Sequence, residues 1–321
     1  MKYLQIEDNF KKYQHVQSVL KQGKLEAEKP LVSIVITTYK RPDTLKEALE
    51  SALNQQNFDD YEVVVVDNEI EDNTETEKML QGYVNTRLLY YKNQENLGMV
   101  GNWNRAIELA KGEWVTILHD DDILFPEFLT KMFKVIKVNN SIEMLVANIV
   151  AAKEMKIIKN QTISRCKKNR LARYIIGNIS PFPGVLFKRS NAINLGGFNA
   201  KYYPCMDYIF WTNYHLNYGS YTLSEKLAFY RMNENSTSNN AYFEIIAKSY
   251  EIKVEILEKL NGLPNAVRQL LLNIGMNHII DAYSCYYKKN ELKFIKEKYG
   301  ISTSYIQYIC YKIITKLAIY I

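Results

Sequence analysis

The stretch Gly112-Glu-Trp-Val-Thr-Ile-Leu-His-Asp-Asp-Asp-Ile-Leu-Phe-Pro126 decides the reading of this chain. Trp114 to Leu118 is a short apolar run of the kind that forms a buried strand. It ends abruptly in Asp120, Asp121 and Asp122. Three adjacent carboxylates repel one another unless a positive group neutralises them. A divalent cation does so, and hard cations prefer oxygen ligands. A cation held at the edge of a sheet is suited to binding a diphosphate.

Working outward, the same pattern recurs. Leu31 to Ile36 and Tyr61 to Val66 are β-branched apolar runs, and Thr86 to Tyr91 is a third strand. Helices are predicted from Pro42 to about Gln55, over roughly 73–84, and from Gly101 to Ala110. Alternating strands and helices predict an α/β fold with a mostly parallel sheet and helices on both faces. In such sheets ligands bind beyond the carboxyl ends of the strands. Thr37 and Tyr39, Asp67, and Asp120 with Asp121 fall at three of those ends. Asp and Thr are also favoured helix caps. Capping could explain any one site, but it explains all three together poorly.

Composition narrows the function classes. The chain has 321 residues, 47% hydrophobic and 24% charged, the profile of a globular protein. The net charge of +6 suits anionic substrates or an anionic surface. No nucleic-acid-binding motif accompanies it, so nucleic acid is not an expected partner. The four cysteines are scattered without a CxxC pair, which disfavours a zinc site. Met1 to Pro30 lacks an apolar signal core, and no run is long enough for a membrane span. The expected location is cytoplasmic.

Val32 to Pro42, Val63 to Asp67 and Gly112 to Asp122 together resemble the family 2 glycosyltransferases of the GT-A fold, over about residues 30–235. The resemblance implies an inverting, metal-dependent transfer of one sugar from a UDP-sugar to a glycan hydroxyl. It implies that Asp67 accepts the uracil N3–H, that Thr37 and Tyr39 wrap base and ribose, and that Arg41 meets the diphosphate. Asp120 would lie near the ribose or the metal. Asp121 would ligate Mn²⁺ or Mg²⁺, with Asp120, Asp122 and His119 as further candidates. His119 stands where the family often has an acid, and imidazole suits Mn²⁺ better than Mg²⁺. His119 could equally be a packing residue, and Asp122 a cap for the helix opening near Pro126.

In Glu95 to Ala106, Asn96 or Asn102 could reach the nucleotide, and Gly98 permits close backbone approach. Trp103 stands where many members have arginine, which removes a diphosphate contact. Gly196 to Trp211 resembles the stretch carrying the catalytic base, which places that role on Asp207, with helix capping as its alternative. In Tyr230 to Ser238, Arg231 would grip the diphosphate, while Asn233 replaces a frequent histidine. The Gln-x-x-Arg-Trp pattern of processive synthases is missing, so one sugar is expected per visit.

The expected organisation is a helical lead-in over 1–29, a GT-A domain over 30–240 and a helical region over 241–321. The GT-A domain divides into a nucleotide-sugar half (30–125) and an acceptor half (126–240). The acceptor is expected to be a lipid-linked glycan of a surface or capsular polysaccharide. Tyr305 to Ile321, apolar with Lys312 and Lys316 one turn apart, could lie peripherally on the inner membrane face or pack on protein. A homo-oligomer stays open. Rival readings are a nucleotide-sugar-binding subunit without turnover and a sugar nucleotidyltransferase. The latter is disfavoured because Thr37 to Arg41 lacks glycine.

Overall fold

A computed structural model describes residues 7–24, 29–155, 164–180, 182–232, 241–283 and 289–301. The fully buried runs become the centre of one sheet. These are β2 (Val32–Thr38), β3 (Tyr61–Asp67), β4 (Leu88–Asn93) and β5 (Trp114–His119), parallel in the order β4-β3-β2-β5. Burial on both faces is why these strands read as continuous apolar runs instead of alternating ones. Val63 to Val66 are each 0% exposed, and fully burying one such side chain contributes about 1.5–3 kcal/mol.

Helices cover the two faces. On one lie α1 (Pro42–Leu53), α2 (Glu75–Gln81) and, further along the chain, α4 (Phe128–Val138), packed on Ile34, Ile36, Val63 and Val65. On the other lies α3 (Gly98–Leu109), whose Trp103, Ala106 and Ile107 meet Val35, Val64 and Val66. The odd and even residues of each strand thus serve separate cores. Gly112 permits one close approach, since a Cβ there would lie 2.5 Å from the Ser33 backbone nitrogen.

The flanks are mostly antiparallel. β1 (Ser18–Gln22) pairs with β4. On the other side β9 (Val185–Lys188) joins β5 to β7 (Met144–Ala152), and β7 runs parallel to β10 (Tyr221–Arg231). β6 (Ile123–Leu124) and β8 (Cys166–Lys168) both pair with β10. The short helices α5 (Leu171–Ile176) and α6 (Arg189–Asn194) precede α7 (Met206–Tyr218). After β10 come α8 (Tyr242–Glu258), α9 (Asn265–Ala282) and α10 (Lys289–Lys298). A third core joins Ile175, Tyr208 and Ile209 to Ile246, Ile252, Met276 and Ile280. The C-terminal helices are therefore fastened to α5 and α7.

The helical lead-in is corrected. The described part of residues 1–29 holds one 3₁₀ turn, Lys11–Tyr13, and strand β1. Arg105 explains the anchoring. It is 7% exposed, and it donates to the backbone oxygens of Tyr13 and Val16 at 2.8 and 2.9 Å and to the Ser18 hydroxyl. A Lys/Glu-rich segment looks helical alone, but here β4 offers it an open edge to pair with. Tyr305 to Ile321 and Asn233 lie outside the described residues. Among the described residues, no helix is long and apolar enough to cross a membrane.

Candidate active site

Register brings the strand ends into one row. Thr38 lies beside Asp67, and Thr37 beside His119. They open onto a cavity of about 720 Å³, within the usual range for ligand sites. Thr37, Tyr39, Arg41, Asn96, Asp120, Asp121, His119, Arg231 and Asp207 all line it. Asp67 and Asp122 do not. They sit one layer behind, each 0% exposed.

Asp67 is held by its own neighbours. Its carboxylate accepts from the Tyr90 hydroxyl and the Glu69 backbone N–H, both at 2.9 Å. Burial pushes its pKa up to about 6 against those two bonds. Asn68, next in the chain, lines the cavity while donating to Gly98 O at 3.0 Å. Asn102 is equally occupied, bonded to Asn93 and to Val66 O. Asn96 accepts the Gly98 N–H at 2.8 Å. Gly98 has φ +68°, yet a Cβ there would meet nothing within 4 Å. Backbone conformation, and not crowding, is its local demand.

The acidic cluster is tied together by two arginines and a threonine. Thr38 donates its hydroxyl to Asp120 at 2.8 Å, and Arg41 reaches Asp120 and Asp121 at 3.4 Å each. Arg231 donates its backbone N–H to Asp122 and its Nε to Asp121 O, each at 3.0 Å, and also pairs with Glu47. Burial raises the pKa of Asp120 to about 6 and that of Asp122 well above the usual carboxylate range. The alternative of Asp122 as a helix cap is corrected. Glu127 precedes α4, and Asp122 instead accepts from Arg231 on β10.

His119 packs as its structural reading expects. Its ring stacks on Trp103 with centroids 5.4 Å apart and lies 4.8 Å from Phe182. Burial lowers its pKa to about 4, which leaves the imidazole neutral and able to ligate. Possible ligand atoms of His119, Asp121 and Asp122 lie within 4.8 Å of one another. Ligands about 2.1 Å from one ion lie at most about 4 Å apart, so the spacing needs little adjustment. Asp122 Oδ2 is buried without a hydrogen-bond partner and lies 3.7 Å from His119 Nδ1. An orphaned carboxylate oxygen beside a neutral imidazole nitrogen and Asp121 fits a divalent cation. Asp120, whose oxygens are taken by Thr38 and Arg41, fits it less well.

Across the cavity, Asp207 sits in the first turn of α7, where Cys205 and not Asp207 is the N-cap. Asn178 donates to its Oδ2 at 2.7 Å. Burial raises the Asp207 pKa to about 6, opposed by the Tyr208 backbone N–H and by Asn178. Thr38, Asn68, Asn178 and Phe182 escaped the sequence reading. So did Ile245, Ser249, His278, Ile279, Ala282 and Tyr283, which close the cavity from α8, α9 and the residue after α9. The Gly177-Asn178 pair was the only local signal for Asn178. The α8 and α9 residues carry none.

The chain is similar to known proteins. The sequence profile described as Glycosyl transferase family 2 matches residues 33–195. An uncharacterized glycosyltransferase of Methanocaldococcus jannaschii is 31% identical over 191 residues, 58% of this chain and 65% of its own length. The GalNAc(5)-diNAcBac-PP-undecaprenol beta-1,3-glucosyltransferase of Campylobacter jejuni is 31% identical over 131 residues, 40% of this chain and 41% of that one. These matches thus span less than two thirds of either relative. Among solved structures, S. aureus TarS in complex with UDP-GlcNAc superposes with TM-score 0.62 at 20% identity, covering 81% of this chain and 77% of that one. The profile match takes in β2, β3, β5 and the acidic cluster. The chain belongs to glycosyl transferase family 2 and has the GT-A fold.

Proposed function

We propose that the chain moves one sugar from a UDP-sugar to a hydroxyl of a glycan acceptor, with inversion and with the help of a divalent cation. One observation carries this reading: Asp207 faces His119 and Asp121 across one cavity, with Asp122 directly behind them in the same cluster. Related structures add support. TarS was solved with UDP and with UDP-GlcNAc, and a Pyrobaculum calidifontis mannosyltransferase with GDP-Man and Mn²⁺. The Campylobacter relative is named for a PP-undecaprenol substrate, which favours a lipid-linked acceptor.

In this reading Asp207 takes the proton of the acceptor hydroxyl. The oxygen attacks the anomeric carbon as the bond to the diphosphate breaks and UDP leaves with its electron pair. A carboxylate with pKa about 6 is a competent base near neutrality. Asn178 holds that carboxylate in place. Bound by His119, Asp121 and Asp122, a divalent cation would offset the charge developing on the leaving diphosphate. Arg41 and Arg231 would exchange their carboxylate partners for phosphate oxygens. Thr37 and Tyr39 would flank the nucleoside, with Asn96 and Asp120 beside it. Asp67 would read uracil only after its bond from Tyr90 or Glu69 is exchanged.

The catalytic domain is proposed to span 30–240, divided near 125. Residues 303–321 are proposed as a peripheral membrane contact, which loses membrane recovery on deletion. A donor panel of UDP-Glc, UDP-Gal, UDP-GlcNAc, UDP-GalNAc and GDP-Man, with Mn²⁺, Mg²⁺ or EDTA, tests the whole reading. Metal-dependent turnover of one UDP-sugar is expected. UDP binding with no turnover of any donor would favour the binding-subunit alternative.

A further inference from the structure

One buried titratable group takes no part in the proposed proton transfer. Lys253, on α8, is 0% exposed. Lys248 and Lys259 pair with Glu251 and Glu255, whereas among the described residues no carboxylate pairs with Lys253. An amine buried without a carboxylate costs stability instead of adding to it, so an ion pair does not explain its place.

Its bonds tie two helix ends together. Lys253 Nζ donates to the Tyr208 hydroxyl at 2.8 Å and reaches the Ile176 carbonyl oxygen at 3.4 Å. The Tyr208 hydroxyl in turn donates to the Tyr174 carbonyl oxygen. Ile176 is the last residue of α5, and Tyr208 lies in the first turn of α7. Gly275 on α9 makes room for the lysine stem, since an added Cβ would lie 2.9 Å from Lys253 Cε.

These two anchor points flank the candidate base and its partner. Asp207 immediately precedes Tyr208, and Asn178 follows Ile176 by two residues. Asn178 Nδ2 donates to Asp207 Oδ2 at 2.7 Å, while its Oδ1 accepts the Ser180 backbone N–H at 3.1 Å. The amide is thereby oriented, and its bond to Asp207 depends on how the ends of α5 and α7 are spaced. Lys253 bonds both ends from the side of α8.

We propose that Lys253 is a positioning residue for Asp207, holding the Asn178–Asp207 pair in place through Ile176 and Tyr208. The inference rests on the reading of Asp207 as base. Lys253 does not line the cavity, so it acts through that pair and touches neither donor nor acceptor.

The test uses the full chain with Mn²⁺ and UDP-Glc, UDP-Gal, UDP-GlcNAc or UDP-GalNAc, reading UDP release with water as the acceptor. Lys253→Met should lower kcat about ten- to hundredfold, as misplacement of a reacting group does. The donor KM and the UDP affinity by calorimetry should stay at wild-type values. Tyr208→Phe keeps the ring and the lysine but removes the hydroxyl between them, and should lower kcat in the same way. In an Asp207→Asn background, Lys253→Met should cause no further loss, because the two act through one group. A kcat within about twofold of wild type in either folded variant would overturn the proposal. So would an equal loss in the Asp207→Asn background, or a UDP affinity that falls with kcat. Failure of the base assignment looks different: Asp207→Asn alone would keep the wild-type kcat. A wild-type chain that turns over no donor would overturn the enzyme reading and this proposal with it.

Discussion

Three carboxylates of this chain, Asp67, Asp120 and Asp207, each have a pKa raised to about 6 by burial, yet their surroundings differ. At the strand ends, Asp67 is held by Tyr90 and Glu69, and Asp120 by Thr38 and Arg41. Across the cavity, Asp207 likewise has one side-chain donor, Asn178, and one backbone donor, Tyr208. Neither a shifted pKa nor the number of donors separates a base from a scaffold carboxylate. Position and charge do: Asp207 lines the cavity, Asp67 lies behind its lining, and Asp120 is paired with the Arg41 cation.

The largest expected effect breaks this comparison at its catalytic side. Asp207→Asn keeps the shape and an acceptor for Asn178 but loses basicity. It should lower the transfer rate by about 10²–10⁴-fold, with UDP affinity unchanged by calorimetry. A UDP affinity that falls in parallel would return Asp207 to the scaffold class.

At the acidic cluster, Asp121→Ala should lower turnover by about 10²–10³-fold. It should also weaken Mn²⁺ binding as followed by electron paramagnetic resonance. EDTA should abolish wild-type turnover, and Mn²⁺ should restore it better than Mg²⁺ because His119 supplies a nitrogen.

The pH profile sharpens the contrast. Asp207 must be ionised to act, so kcat should be flat above its pKa of about 6 and fall about tenfold per pH unit below it. The residual rate of Asp207→Asn should lack that acidic limb.

A smaller effect belongs to the C-terminal helices. Lys253 on α8 is 0% exposed, donates to the Tyr208 hydroxyl at 2.8 Å, and has its pKa lowered to about 7 by burial. The unfolded chain, with an ordinary lysine pKa near 10.5, binds more protons between those values. Stability should therefore rise with pH from about 7 to 10, by up to about 1.4 kcal/mol per unit. Lys253→Met should flatten the slope in urea titrations. The smallest effect is expected of Thr38→Val. Losing one hydrogen bond to Asp120, worth about 0.5–1.5 kcal/mol, should weaken UDP affinity about two- to tenfold.

Much of this arrangement was legible beforehand. Continuous Val and Ile runs ending in Thr, Asp and Asp-Asp-Asp located β2, β3 and β5 and the cavity edge, because burial on both faces leaves polar residues only at strand ends. What could not be read was which member of a pair bonds the acidic cluster. Thr37 and Thr38 differ only in strand parity, and Thr38 proved to hold Asp120. Asp67 matched a motif, but its bond from Tyr90 spans 23 residues of sequence. The lead-in failed for a related reason: its strand exists because β4 offers an edge, which local composition does not record.

The sequence by itself determined the alternation of strands and helices, the family, and the carboxylates available for chemistry. These depend on local periodicity and on residue types at short spacing. Folding alone settled which carboxylates reach the cavity, that His119 joins Asp121 and Asp122, and that α8 and α9 wall the site beside Asp207. Those properties arise from contacts between residues far apart in the chain, and no local pattern encodes which distant surfaces will share a cavity.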